Sequence, residues 1–186
     1  MLKNAEYIYN NIIIADEINT TKQYCKKAQV GVDLSIKGVW KINTPGVIYT
    51  DFSDVSRYEE LPSEQLNIPA DREVRPLNGW FLSKGTYLVE LNEGVSIPED
   101  VACYIIQRSS LNRSGCTIVS SLWDNGYTSQ YKERINTITI RLNVDTEEGI
   151  YIEKNARIAQ LIAYSTEDTT LYNGQFQGGL AKSNLL

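Results

Sequence analysis

Apolar and polar positions alternate from residue 30 to 36, Val30-Gly31-Val32-Asp33-Leu34-Ser35-Ile36, with β-branched residues among the apolar set. That pattern predicts a strand. Residues 39–49 continue in the same style up to a turn signal at Pro45-Gly46. Further strands are expected over 79–91, with a turn at Lys84-Gly85, over 94–98, 101–107, 135–143, 150–152 and 158–164. In 135–143 one side carries Asn136, Ile138, Ile140 and Leu142, and the other carries Ile135, Thr137, Thr139, Arg141 and Asn143. A strand with one buried face reads this way. Residues 1–14 suit a short helix or strand, and 16–27 have mild helical spacing. Residues 50–76 hold many carboxylates and three of the five prolines, so a surface excursion with one short helix is expected. The stretch 173–186 is rich in Gly, Asn, Gln and Ser and is expected as a flexible C-terminal arm. Many short strands with regular turns indicate an all-β barrel or jelly roll.

Composition narrows what such a fold can do. The 186 residues suit one domain, and no stretch approaches the roughly 20 apolar residues of a membrane helix. No signal peptide is evident. Three widely spaced cysteines, Cys25, Cys103 and Cys116, argue for a reducing cytoplasm rather than a disulfide framework. The net charge of −5 disfavours a nucleic-acid polymer as partner. Histidine is absent. That excludes a Ser-His-Asp or Cys-His nucleophile, a His-ligated metal and the zinc deaminase signature. Acid–base chemistry is left to carboxylates, Tyr, Lys or Cys.

Four constellations remain. Arg108-Ser109-Ser110-Leu111-Asn112-Arg113 follows a buried strand, with Ser109 or Ser110 as helix cap. It offers the guanidinium forks and hydroxyls a polyphosphate needs, or is simply a capped surface helix. Asp124-Asn125-Gly126-Tyr127 is a turn signal, and it also sets a carboxylate beside an aromatic ring. In 157–162 alternation puts Ile158, Gln160 and Ile162 on one face and Arg157, Ala159 and Leu161 on the other. Gln160 then sits in an apolar row and needs a hydrogen-bonding partner. Glycines at 174, 178 and 179 mark an arm that either orders on a ligand or frays.

Taken in order and spacing, these segments resemble the superfamily of trimeric dUTP pyrophosphatases and dCTP deaminases. The matching motifs are Gly31 to Leu34, Arg108 to Ser110, Asp124 to Tyr127, Arg157 to Leu161 and Gln175 to Gly179. The middle of the chain, from Trp80 to Gly85 and from Arg108 to Gly115, is more similar to the deaminase branch. The resemblance implies a mainly β, dUTPase-like distorted jelly roll or barrel, with few short helices, as a single domain over 1–186. Residues 50–76 would be an insertion.

The resemblance also implies a homotrimer that binds a pyrimidine deoxynucleoside triphosphate. Arg108, Ser109, Ser110 and Arg113 would hold phosphates, and Gln160 would support the site. Tyr127 would pack on the deoxyribose. Thr139 and Ile140 would contact substrate, and Gln175 would close over it. Mg²⁺ would be bound through the triphosphate, with no protein metal site. In the pyrophosphatases the carboxylate at Asp124 orients the attacking water, so Asp124 is the candidate catalytic residue for conversion of dUTP to dUMP and diphosphate. In the deaminases a Glu on the following strand acts, and the alignment places Arg141 there, with Glu133 as the nearest upstream carboxylate. Ser129 replaces a usual glycine, 129–134 reads as an insertion, and the arm's usual lysine and aromatic fall at Leu171 and Leu180. Three readings stay open: a dUTP pyrophosphatase, a dCTP deaminase with or without a second, pyrophosphatase activity, and a catalytically silent nucleotide- or protein-binding trimer.

Overall fold

The computed structural model describes residues 1–14, 21–50, 53–54, 56–68, 76–131, 134–174 and 177. Eight strands carry the architecture: β1 (Val32–Ile42), β2 (Leu77–Leu82), β3 (Gly85–Leu91), β4 (Val101–Gln107), β5 (Cys116–Val119), β6 (Thr139–Val144), β7 (Ile150–Glu153) and β8 (Arg157–Ser165). Six of them form one antiparallel sheet in the order β4-β8-β1-β3-β6-β5. Its two ends meet again where Cys103 of β4 bridges Trp123, just beyond β5. The sheet thus curls into a nearly closed barrel, the mainly β architecture the strand pattern calls for, and closure hides the edges.

Alternation fills the barrel. β6 buries Ile140, Leu142 and Val144 and turns Thr139, Arg141 and Asn143 outward. β4 buries Val101, Cys103 and Ile105 against Leu161 and Ala163 of β8. Each fully buried aliphatic side chain is worth about 1.5–3 kcal/mol relative to exposure. Helix α1 (Ala5–Asn11) starts at Asn4, whose Oδ1 accepts from the Tyr7 N–H at 2.8 Å.

The structure changes three expectations. The last strand departs from strict alternation: its register against β1 shifts between Arg157 and Ala159, and Ile158 and Ala159 are buried in succession. This bulge puts Arg157 on the side of Gln160, where uninterrupted alternation would have separated them. The strand expected over 135–143 begins at Thr139, because the preceding residues form a small hairpin with Gln130 opposite Ile135 and Tyr131 opposite Arg134. The Asn136 N–H donates to Ser129 O at 3.0 Å, so the chain re-enters the barrel beside the point where it left.

Residues 50–76 supply edge strands in place of the expected helix: Tyr58–Leu61 pairs with β1 and Glu64–Leu66 with β2. Among their described residues there is no helix. Pro62 and Pro76 interrupt any helical run there.

Candidate active site

Arg108 ends β4 and is itself the N-cap of α2 (Ser109–Arg113), in extended conformation with no side-chain capping bond. Neither Ser109 nor Ser110 takes the cap position the sequence suggested. The Arg108 guanidinium is therefore free to fold back over the sheet. Its Nε lies 3.1 Å from Asp33 Oδ2, and its Nη1 donates to Arg157 O at 3.0 Å. Arg157 Nε stands 3.9 Å from the same Asp33 oxygen, and Gln160 Nε2 donates to Asp33 Oδ1 at 3.2 Å. Asp33 is thus the hub of this half of the site. Gly31 makes the geometry possible: a Cβ there would lie 2.5 Å from Leu161 O and 2.7 Å from Gln160 Cγ. Ser109, Ser110 and Arg113 are exposed on α2. Two guanidinium groups and two free hydroxyls at one end of the barrel can chelate a polyphosphate.

The second half is the turn 124–127. The Tyr127 N–H donates to Asp124 O at 3.2 Å, and Gly126 has φ +76°. Positive φ at the third residue is the requirement of a type II turn, which glycine meets without strain. The turn is docked by Gly126 N–H to Ile97 O, Ile97 N–H to Tyr127 O, and Asn125 Nδ2 to Glu99 O. Asn125 and Tyr127 are buried, but Asp124 is only half-buried, so its carboxylate is presented rather than packed.

Tyr127 is 7% exposed. Its ring stands edge-on to Trp123 at 5.0 Å and to Tyr172 at 5.6 Å. Burial, reinforced by Tyr172, pushes its phenol up to about 12, so it is a neutral group at any working pH. Ser129 is fully buried, and its Oγ accepts from Val95 N–H at 2.9 Å. The hydroxyl locks the turn onto the neighbouring segment, which gives this departure from glycine a structural role.

Beside this turn a cavity of about 270 Å³ opens on the outer face of the sheet. Val119, Ser120, Ser121 and Trp123 line it from one direction, and Leu88, Thr139, Ile140 and Arg141 from the other. Its size is just under the roughly 300–1,000 Å³ common for small-molecule sites. Arg141 is the one charged residue of the lining and is exposed. The nearby carboxylate of Glu90, opposite Thr139, is taken up by Lys37 Nζ at 2.8 Å and by Thr137 Oγ1. Glu133, Gln175 and Leu180 lie outside the described residues.

Sequence reasoning did not single out Gln177, which does make contact. Its Nε2 donates to Gly126 O at 3.0 Å and its Oε1 accepts from Thr128 N–H at 3.3 Å. Arg157 was legible only as the first residue of its motif, with no site role, because only the bulge in β8 brings it to Asp33. Leu171 covers the turn, standing 3.3 Å from where a Cβ of Gly126 would be.

The two halves do not meet within one chain. The Cys103–Trp123 bridge sets Asp124 opposite Ala102, whereas Arg108 lies six residues further along β4. At about 3.3 Å per residue this is roughly 20 Å.

The chain was compared with known proteins. Residues 5–166 match the family model described as dCTP deaminase-like. A probable deoxyuridine 5'-triphosphate nucleotidohydrolase of Aeropyrum pernix is 37% identical over 159 residues, covering 80% of this chain and 96% of that protein. The deoxyuridine 5'-triphosphate nucleotidohydrolase of Methanocaldococcus jannaschii is 33% identical over 153 residues, covering 81% and 86%. The crystal structure of the 2'-deoxycytidine 5'-triphosphate deaminase of Agrobacterium tumefaciens is similar in fold, with TM-score 0.54 and 14% identity over 87% of this chain and 46% of that longer one. Among the described residues no helix is long and apolar enough to cross a membrane. The chain belongs to the dCTP deaminase-like family, within the superfamily of dUTP pyrophosphatases and dCTP deaminases that its motifs resemble.

Proposed function

We propose that this protein is a dUTP pyrophosphatase, hydrolysing dUTP to dUMP and diphosphate in pyrimidine deoxynucleotide metabolism. The observation that carries this reading is the half-buried Asp124 carboxylate, held on a rigid turn beside a cavity whose lining contains no carboxylate. Asp124 accepts a hydrogen bond from a water and orients it at the α-phosphorus. The water oxygen forms the new P–O bond, the bond to the bridging oxygen breaks, and diphosphate leaves. Arg108, Arg113, Ser109 and Ser110 hold the phosphates. Asp33 and Gln160 orient Arg108 and act as positioning residues. Gln177 reaches the turn, and Gln175 would close over the nucleotide. Similarity to nucleotidohydrolases of 33–37% identity supports the same reaction.

The donor chemistry suits Mg²⁺ carried by the substrate. Among the described residues no three His, Cys, Asp or Glu side chains gather to hold a metal. Mg²⁺ keeps several waters and binds substrate phosphate oxygens readily, so it can enter with the triphosphate. The ion would neutralise charge on the phosphates.

The separation of Asp124 from Arg108 supports a homotrimer in which one chain's turn faces the neighbour's arginine end. An apolar outer face on β4 and β8, with Tyr104, Ile106, Ile162 and Tyr164 side by side, supports contact between copies. The unpaired Cys25, Cys103 and Cys116 suit a reducing cytoplasm. A deaminase reading has the family model in its favour, but it needs a carboxylate where Arg141 lines the cavity, and a guanidinium cannot accept a proton.

The test is Asp124→Asn. Turnover of dUTP should fall by about 10²–10⁴-fold, while binding of a non-hydrolysable dUTP analogue is kept. Undiminished turnover would remove Asp124 from the mechanism.

A further inference from the structure

We infer that Arg141 reads the pyrimidine, making the cavity beside the turn selective for uracil over cytosine. This rests on the proposed pyrophosphatase function, and it seats the base of the nucleotide in that cavity, next to the Asp124 turn. The cavity offers few polar groups. Trp123 is fixed in its wall by a bond from its indole N–H to Ser120 Oγ at 2.9 Å, and Ser120 Oγ in turn donates to Ser121 O at 3.0 Å. Those groups already have partners.

Arg141 is different. It projects outward from β6, opposite Leu88 on one side and Val119 on the other. Both neighbours are apolar, and among the described residues no hydrogen bond or ion pair ties its guanidinium down. The carboxylate of Glu90, opposite Thr139 on the neighbouring strand, is held by Lys37 and Thr137. A cation on an apolar strip at the edge of a cavity is available to a ligand.

The chemistry then decides the ligand. A guanidinium has five N–H donors and no acceptor. Uracil presents a carbonyl at C4, an acceptor. Cytosine presents an amino group there, a donor. Arg141 therefore completes a charge-assisted hydrogen bond with uracil and faces donor against donor with cytosine. A site built to pair with one group rejects the analogue that leaves it unpaired, and one such bond to a charged group corresponds to about 10- to 100-fold in affinity. Arg141 is in this account a specificity-determining residue, while Asp124 acts on the phosphate end.

The experiment compares binding of three ligands by titration calorimetry: the α,β-imido analogues of dUTP and dCTP, and inorganic tripolyphosphate, which has no base. The wild-type protein should prefer the uracil analogue. Arg141→Met should cut that preference about 10- to 100-fold while leaving tripolyphosphate affinity within about twofold. Arg141→Lys should retain part of the preference. Unchanged tripolyphosphate binding also shows that the variant is folded. An unaltered uracil-to-cytosine ratio in Arg141→Met would overturn the inference. So would an equal loss for both analogues, which would mean a contact to a group the two bases share, or an equal loss for all three ligands, which would mean a general effect of charge. Failure of the pyrophosphatase reading would look different: no dUMP from dUTP, with the binding ratio still measurable.

Discussion

Arg108 and Asp33 meet at 3.1 Å, Nε to Oδ2, with the arginine side chain a third exposed and the aspartate nearly buried. The carboxylate is also shared with Gln160 and Arg157. The arginine proposed to hold phosphate is thus fixed in place before any ligand arrives. Asp33→Ala would leave two guanidinium groups and an amide without their common partner. It should lower stability by about 1–3 kcal/mol in denaturant unfolding, with Arg157→Ala costing less because that contact is longer and exposed. Equal stability of Asp33→Ala and wild type would show that the hub does not organise the site.

A division of labour between chains gives a complementation test. Arg108→Ala and Asp124→Asn proteins should each be inactive. Mixed after reversible dissociation, they should regain activity, because roughly a quarter of the shared sites would draw an intact Arg108 from one chain and an intact Asp124 from another. The readout is dUMP formation in the mixture. No recovery, with mixed oligomers demonstrated by mass, would place both residues in one chain's site.

Glu93 is fully buried, its carboxylate accepting from Ser35 N–H at 3.0 Å and Ser35 Oγ at 2.7 Å. Burial outweighs those bonds and raises its pKa to about 7. A folded-state value above the unfolded one of 4.5 means that the native state keeps a proton the unfolded chain has lost. Its contribution is therefore favourable at low pH and fades as pH rises from about 4.5 to about 7. Glu93→Gln should remove this slope and be more stable than wild type above pH 7, by on the order of 3 kcal/mol at most. Thermal unfolding from pH 5 to 8 checks it. A wild-type curve that rises with pH, with the variant destabilised throughout, would contradict the sign.

The hairpin at 130–135 should be dispensable for folding. Asn136 N–H already reaches Ser129 O, so replacing those six residues by two glycines should change stability by no more than about 1 kcal/mol. Ser129→Ala, by contrast, leaves the Val95 N–H without its side-chain acceptor and should cost about 1–3 kcal/mol. Chemical denaturation of both variants tests the contrast, and the reverse order of the two losses would be wrong for this account.

Much of this was legible in the chain. Alternation located the barrel strands, and Asp124-Asn125-Gly126 announced its turn because only glycine meets positive φ there cheaply. What local pattern missed were single-residue irregularities with distant causes. The bulge at Ile158 depends on pairing with β1, more than 100 residues earlier, and it alone brings Arg157 to Asp33. The edge strands within 50–76 form because β1 and β2 offer unpaired backbone, which a window of acidic residues and prolines does not reveal. The role of Ser129 likewise depends on Val95, a partner on a separate segment.

The most direct measurement follows the products. The wild-type protein is incubated with dUTP and Mg²⁺, and separately with dCTP and Mg²⁺, and nucleotides, diphosphate and ammonia are resolved over time. The expected result is dUMP and diphosphate in equal amounts from dUTP, about 10²–10⁴-fold slower formation with Asp124→Asn, and no ammonia from dCTP. Ammonia released from dCTP, or dUTP left intact by the wild-type protein, would contradict it.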